Sequence, residues 1–466
     1  MSTPFPSQIF REYDIRGKAE RDLSSDLFEG IGYAFRTLFP DGARPKVAVG
    51  RDCRLSSPRL FEALVEGLVA AGVDVVDVGI GPTPMLYFSV HHLGVDGGLM
   101  ITGSHNPGDE NGVKMLRRSG SIYGVEIQAL RAHVEAGVRM KAEHRGSVER
   151  WDPEPAYVDT MREKIVLKQK ISVVVDAGNG AGGPLALAAF KAVGIEPVAL
   201  HCDMDGRFPH HHPDPTQPEN VAELIAKVKE TKAQVGLAFD GDADRLGAID
   251  ADGSIVWGDR LLTLFARDIL RDHPGGAILG EVKCSQTLYD DIAKHGGRPI
   301  MWKTGHSLIK AKMKEEHALL AGEMSGHLFF ADRYFGYDDA IYAALRLIEI
   351  LAREGKTIGE LLADLPKTFV TPEIRVDCPD ALKFRIVDAV RNKFRAAIGG
   401  SVDGLAVRDV VDVDGARILF DHGWGLVRAS NTGPVLVVRF EADTEARRDA
   451  LRAAVEGAIE EAKASL

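Results

Sequence analysis

Over the first two-thirds of the chain, short apolar runs alternate with stretches whose apolar positions recur at helical spacing. Residues 46–50 form a continuous run closed by a glycine, and this predicts a buried strand. Residues 57–71 carry apolar side chains at 60, 61, 64, 65, 68 and 69, which predicts a helix. Strands are expected again at 73–78 and 98–101. A second round reads as strand 171–176, helix 184–193 and strand 235–239, and a third runs from Leu261 through strands 277–280, 299–302 and 318–321. Strands separated by helices of this length imply parallel-rich sheets covered on both faces. Beyond Leu365-Pro-Lys367 the texture changes. Strands at 373–376, 416–420, 425–428 and 435–440, with helices at 382–398 and 445–464, predict an α+β unit with an antiparallel sheet.

The expected organisation is therefore α/β, with three related mixed-sheet α/β domains at 1–150, 151–252 and 253–367 and an α+β domain at 368–466. A chain of 466 residues is too long for one compact core, which suits this division. Net charge changes the picture only by exclusion. At −11, from 57 Lys+Arg against 68 Asp+Glu, the chain lacks the basic surface of a general nucleic-acid binder. No apolar run approaches a membrane span, and no secretory pattern opens the sequence. Cys53, Cys202, Cys284 and Cys378 are scattered without metal-ligand spacing and read as structural thiols. A cytoplasmic protein is expected, without nucleic-acid or membrane partners.

Five segments carry candidate chemistry. Thr102-Gly-Ser-His-Asn-Pro107 follows a predicted strand, and a loop serine beyond a strand end is where open α/β folds place reactive groups. It is not a hydrolase elbow, because Thr102 and Asn106 stand where glycines would be needed. Asp240-Gly-Asp-Ala-Asp-Arg245 follows another strand, and its three alternating carboxylates suit one hard cation. A calcium loop is excluded by Arg245 at position 6 and Ala251 at position 12. Arg16 and Lys114 are cations able to offset phosphoryl charge. In Gly322-Glu-Met-Ser-Gly-His327, alternation in an extended loop would aim Glu323 and Ser325 the same way, towards sugar hydroxyls. Arg428-Ala-Ser-Asn-Thr-Gly433 combines an Arg fork with short polar donors, a set suited to phosphate. His210-His-His212 sits in a proline-stiffened loop, where contiguous histidines do not readily converge on a metal.

Taken together and in this order, with Phe10-Arg-Glu-Tyr-Asp-Ile-Arg-Gly17 at the front, these motifs resemble the α-D-phosphohexomutase family, most closely its bacterial phosphomannomutase/phosphoglucomutase branch. The resemblance spans nearly the whole chain. It implies four domains around a central cleft, the last of them TATA-box-binding-protein-like. It implies a phosphoserine at Ser104 and Mg2+ held by Asp240, Asp242, Asp244 and Ser104. Arg16 and Lys114 would lie beside the phosphoryl group and Arg245 at the metal loop, with Tyr13 and Lys283 as further substrate contacts. Glu323 and Ser325 would read sugar hydroxyls, and Arg428, Ser430, Asn431 and Thr432 would hold the distal phosphate. His306, in Lys303-Thr-Gly-His306, would meet the sugar in both of its orientations.

The implied reaction interconverts hexose 1-phosphate and hexose 6-phosphate, of mannose or glucose, through a hexose 1,6-bisphosphate that turns over in the cleft. Lys114, His306, His327 and Arg16 are all open as the proton acceptor. A monomer or weak dimer is expected. Two other readings stand beside this one: a phosphatase with Asp240 as nucleophile, and a sugar-phosphate binding protein without catalysis.

Overall fold

The computed structural model describes residues 5–40, 42–430 and 433–465. Four sheets follow one another along the chain. The first has a parallel centre, Asp74–Ile80, Lys46–Arg51 and Gly97–Ile101, and ends on the antiparallel strands Glu110–Arg117 and Ile15–Lys18. The second pairs Val173–Asp176 in parallel with Val235–Phe239, which then turns back antiparallel as Leu246–Asp250. The third pairs Ala277–Glu281 in parallel with Leu320–Gly322, which turns back as Leu328–Phe330. The fourth is antiparallel, with Val435–Ala442, Gly423–Ala429, Ala416–Phe420 and Leu405–Val411 in succession. Helices Asp380–Ala396 and Glu445–Ser465 cover it.

The first three sheets are mixed, as the fold class of three mixed-sheet α/β domains expects, and the antiparallel part is regular. In each of the first three, a central parallel strand is followed by a short loop and an antiparallel return strand. Those three loops are 102–109, 240–245 and 323–327, so the serine, carboxylate and glutamate motifs occupy one equivalent place in three successive sheets. A loop between two adjacent antiparallel strands can be short, and a short loop holds its side chains close to the strand ends.

One continuous apolar core runs through the first three units. It joins Tyr87 and Phe88 to Tyr157, Phe190 and Phe239, and on to Phe265, Leu320 and Tyr342. Helix Ala340–Glu354 passes through it buried along most of its length, and its charged stripe, Arg346, Glu349 and Arg353, is paired with Asp268, Asp332 and Arg333. Its N-cap is Asp339, whose carboxylate accepts from Tyr342 N at 2.9 Å. The fourth unit has its own core and meets the third through Val282, Trp424 and Leu426. There the buried Arg417 donates to the carbonyls of Val282 and Cys284, at 2.7 Å each. Among the described residues, no helix is long and apolar enough to cross a membrane.

Candidate active site

The serine loop cannot continue the strand before it, because Ser104 takes a left-handed backbone at φ +50° and Pro107 follows three residues later. Ser104 N donates to Thr102 Oγ1 at 2.8 Å, which closes a tight turn. The result is a 97% buried serine whose Oγ lies 3.2 Å from Asp240 Oδ2 and 3.2 Å from His105 Nδ1. Burial, together with Arg245 and Arg16, holds the His105 ring well below the ordinary histidine range and therefore neutral.

The carboxylate loop meets the serine across the boundary between the first and second sheets. Gly241 is required at that contact, since a Cβ there would sit 2.4 Å from the carbonyl oxygen of Ser104. Ala243 adopts φ +54°, and this folds the loop so that one oxygen each of Asp240, Asp242 and Asp244 falls within 4.8 Å of the others. All three residues are fully buried. Asp240 Oδ1 accepts from the N–H groups of Asp244 and Arg245, at 3.1 and 3.2 Å. Asp242 Oδ2 accepts from Thr83 Oγ1 at 2.5 Å, Thr102 Oγ1 at 3.2 Å and Lys114 Nζ at 2.7 Å. Lys114 also reaches Asp244 Oδ2 at 2.5 Å.

These carboxylates fit a divalent cation. Asp242 Oδ1 and Asp244 Oδ1 are buried without a hydrogen-bond partner, a costly arrangement that an oxygen-seeking ion would relieve. Burial, with the neighbouring charges of Asp244 and Asp242, pushes the Asp240 carboxyl well above its usual range, so the protein alone leaves this corner short of positive charge. Burial acts on Asp242 in the same sense, but the Lys114 ammonium outweighs it and holds that group low. Burial would also depress Lys114, and here Asp242 and Asp244 prevail and keep the ammonium charged.

Two further groups bind this centre to the third sheet. Arg245 and His327 pair through their backbones, and Arg245 Nε donates to His327 Nε2 at 3.0 Å. That bond is open only to a neutral ring. His327 Nδ1 faces Asp338 Oδ2 at 3.0 Å and the Asp244 carbonyl at 3.1 Å, which settles the proton on Nδ1. His306 stacks on His327 with ring centroids 5.7 Å apart, and burial followed by Lys310 holds it well below the usual histidine range.

The first, third and fourth units are joined by one chain of hydrogen bonds. Tyr13 OH donates to the Thr304 carbonyl at 2.9 Å, and Thr304 N donates to Asp414 Oδ2 at 3.1 Å. The same Asp414 oxygen accepts from Arg428 Nε at 2.9 Å. Nearby, Lys283 Nζ pairs with Glu373 at 3.0 Å and lies 3.6 Å from Glu281. Lys383 Nζ holds the fourth-unit loop through the carbonyls of Ser430 and Gly433, at 2.6 and 3.2 Å. Asn431 and Thr432 lie outside the described residues.

Arg16 Nη2 pairs with Asp14 at 2.5 Å and Nη1 donates to Asn106 Oδ1 at 3.0 Å, which puts this cation against the serine loop. Glu323 and Ser325 do not sit in the extended segment their alternation suggests: Gly326 N donates to the Glu323 carbonyl at 3.1 Å and Glu323 N to the His327 carbonyl at 2.9 Å. In this turn Glu323 is buried, with Oε1 accepting from Gly305 N at 2.6 Å, while Ser325 is half-buried. Alternation does not aim the two together; the turn does the placing.

Sequence reading missed Asp52 and Arg54, Thr83, Thr304, Asp338 and Asp414. Asp52 and Arg54 lie just past the C-terminal end of the central strand Lys46–Arg51, a location that by itself marks functional ground in α/β sheets. Thr83 lies far along the chain from Asp242. Asp338 and Asp414 stand 11 and 14 residues from His327 and Arg428, outside the motifs, and Thr304 falls inside Lys303-Thr-Gly-His306 without being marked there.

The comparisons with known proteins agree with this geometry. Four family models match in order. The alpha/beta/alpha domains I, II and III of phosphoglucomutase/phosphomannomutase cover residues 7–139, 155–253 and 257–369, and the C-terminal domain of the same family covers 373–458. A phosphomannomutase/phosphoglucomutase of Pseudomonas putida is 48% identical over 95% of this chain and 93% of its own. The protein of that name from Pseudomonas aeruginosa is 45% identical over 99% and 97%. Among solved structures, a phosphoglucomutase/phosphomannomutase family protein from Burkholderia thailandensis superposes with a TM-score of 0.91 at 45% identity, covering 99% of this chain and 98% of that one.

Proposed function

The chain belongs to the phosphoglucomutase/phosphomannomutase family, and from that premise we infer how its own residues interconvert hexose 1-phosphate and hexose 6-phosphate. The observation that carries the reading is the meeting of Ser104 with a buried carboxylate trio that still has two unpartnered oxygens. Ser104, as phosphoserine, is the donor. Its O–P bond breaks as a P–O bond forms to a free hydroxyl of the bound hexose phosphate, giving a bisphosphorylated sugar. After the sugar turns end for end, its other phosphoryl group returns to Ser104.

A divalent cation, which we take to be Mg2+, would be held by Asp240, Asp242, Asp244 and a phosphoryl oxygen on Ser104, and it would offset charge on the transferring group. Lys114 and Arg16 add fixed positive charge beside that group. The sugar hydroxyl's proton goes to His327 Nε2 once the Arg245 Nε–H that occupies this nitrogen at 3.0 Å turns to the phosphoryl group. The ring is held at Nδ1 by Asp338 and the Asp244 carbonyl. Lys114 is charged and locked between two carboxylates, a poor acceptor.

Glu323 and Ser325, with His306, Tyr13 and Lys283, read the sugar. Arg428, Ser430, Asn431 and Thr432 hold the non-reacting phosphate, whose remote binding energy sets the orientation. Because Arg428 connects to Tyr13 through Asp414 and Thr304, phosphate capture in the fourth unit also draws in the third and the first. Burial of Ser104 keeps water from the phosphoserine, which would otherwise be lost to hydrolysis. We further propose a cytoplasmic setting and a monomer or weak dimer.

Replacement of Ser104 tests the reading. Ser104→Ala is expected to abolish conversion of mannose 1-phosphate and glucose 1-phosphate to their 6-phosphates, and peptide mapping of the parent protein is expected to locate phosphate on Ser104. Full activity in the variant overturns the proposal.

A further inference from the structure

We propose that Arg54 is a positioning residue for phosphoryl transfer, holding the Ser104 loop in its reactive shape from beneath without touching substrate. This inference rests on the role given above to Ser104. Arg54 is 1% exposed, and its guanidinium has five N–H donors. Its hydrogen bonds draw in four carbonyls, three of the 102–109 loop and that of Glu110, where the return strand begins. Nη2 donates to Ser104 O at 2.7 Å and Asn106 O at 2.6 Å, and Nη1 to Pro107 O at 2.5 Å and Glu110 O at 2.9 Å. Nε donates to Asp52 Oδ2 at 3.0 Å.

Asp52 in turn aims the guanidinium. Its carboxylate accepts from Arg54 N at 3.0 Å, Ser57 Oγ at 2.6 Å and Gly103 N at 3.1 Å, so it grips both ends of the arrangement. Phe208 of the second unit closes the far side, with its ring centroid 5.1 Å from Arg54 Cζ. Gly103 is glycine for the same reason. A Cβ at that position would lie 2.5 Å from Arg54 Cζ, in the space the guanidinium fills.

A loop that places a non-glycine residue at φ +50° does so against its backbone preference, and surrounding contacts must hold it. Here the carbonyl of the strained residue itself, Ser104, is one of the four that Arg54 captures. The contact fixes Oγ relative to Asp240 across the boundary between two units. Lysine cannot replace it, because a point ammonium lacks the planar fork that reaches carbonyls on both sides.

The expected signature is a split between kcat and KM. Arg54 touches loop carbonyls and Asp52, and none of the groups assigned to the sugar or the distal phosphate. Arg54→Lys should lower kcat about 100-fold, the scale of a misplacement near 1 Å at a reacting centre. KM for glucose 1-phosphate should stay within about 3-fold on the same argument. Methylguanidinium added to Arg54→Ala should restore part of kcat. Ser57→Ala, which removes one donor to Asp52 and one of the two acceptors of the Asn111 amide, should lower kcat less, again without moving KM. Should Arg54→Lys fail to fold, Ser57→Ala decides.

Wild-type kcat in a folded Arg54→Lys or in Ser57→Ala, or equal losses through KM, would overturn the proposal. A parent enzyme without mutase activity would instead defeat the reading of Ser104. In that event amide hydrogen exchange over residues 102–110 still tests Arg54, since faster exchange confined to that segment in Arg54→Lys supports its hold and unchanged exchange refutes it.

Discussion

If the carboxylate trio holds a cation as proposed, Thr83 illustrates how much of that site lies in residues that are not ligands. Its hydroxyl donates to Asp242 Oδ2 at 2.5 Å, and its N–H donates to the Asp242 carbonyl at 2.9 Å. The carboxylate is thereby fixed from the first unit while its backbone belongs to the second. Outer partners of this kind orient ligands, and their loss commonly weakens metal affinity about 10- to 100-fold. Thr83→Val is therefore expected to raise the Mg2+ concentration for half-maximal activity by about that factor, with kcat at saturating Mg2+ much less affected; the readout is a metal titration of activity. A chelator should abolish the activity of the parent protein, and added Mg2+ should restore it.

At the scale of elements, one construction recurs. A parallel strand ends, a short loop presents its chemistry, and an antiparallel strand carries the chain away. Each loop is braced by the strand pair beneath it, the serine loop also by Arg54 and Asp52 of its own unit, and its side chains can then be gripped by the neighbouring unit. The stretch between the third and fourth units shows such gripping. Glu373, next to strand Ile374–Asp377, pairs with Lys283 at the end of the third sheet.

The Lys283 ammonium outweighs burial there and lowers the Glu373 carboxyl to about 2. A depressed carboxyl contributes stability that is fully present above its unfolded value, here 4.5, and is lost as pH falls through about 2. Acidification from pH 4.5 towards 2 should therefore weaken the parent protein by a component that Glu373→Gln lacks. At neutral pH the substitution should itself cost about 1–3 kcal/mol, as expected for a hydrogen bond to a charged group. Urea midpoints of the two proteins across this pH range check both statements.

At the scale of the whole molecule, a path forms that no unit contains. Tyr13, Thr304, Asp414 and Arg428 belong to the first, third and fourth units and are linked by three successive hydrogen bonds. Under the proposed function, a phosphate on Arg428 would therefore feel contacts made in the other two units. Asp414→Asn keeps the side chain's size and removes the charge that orients Arg428. Loss of a charge-assisted contact worth about 1.5–3 kcal/mol should raise KM roughly 10- to 100-fold for 1-phosphates and 6-phosphates alike. Initial rates measured in both directions would test this, and a change confined to one direction would contradict it. Ser104→Ala provides the reference for complete loss of transfer.

What the sequence determined alone is the set of parts. Apolar periodicity marked the strands and helices, because burial on one or both faces leaves a local trace in the pattern. The serine and carboxylate motifs were legible for a related reason: each is a short loop beside its own strand, with its polar groups contiguous in the chain. The parts became a site only through tertiary structure. Nothing local to Asp242 announces Thr83 or Lys114, which stand 159 and 128 residues away. Nothing in the 323–327 segment announces a tight turn rather than an extended loop. Arg54 is the plainest case, since by composition it is one more arginine on a chain with 57 basic residues. Only the folded backbone turns four distant carbonyls onto its guanidinium, and backbone carbonyls leave no signature in sequence.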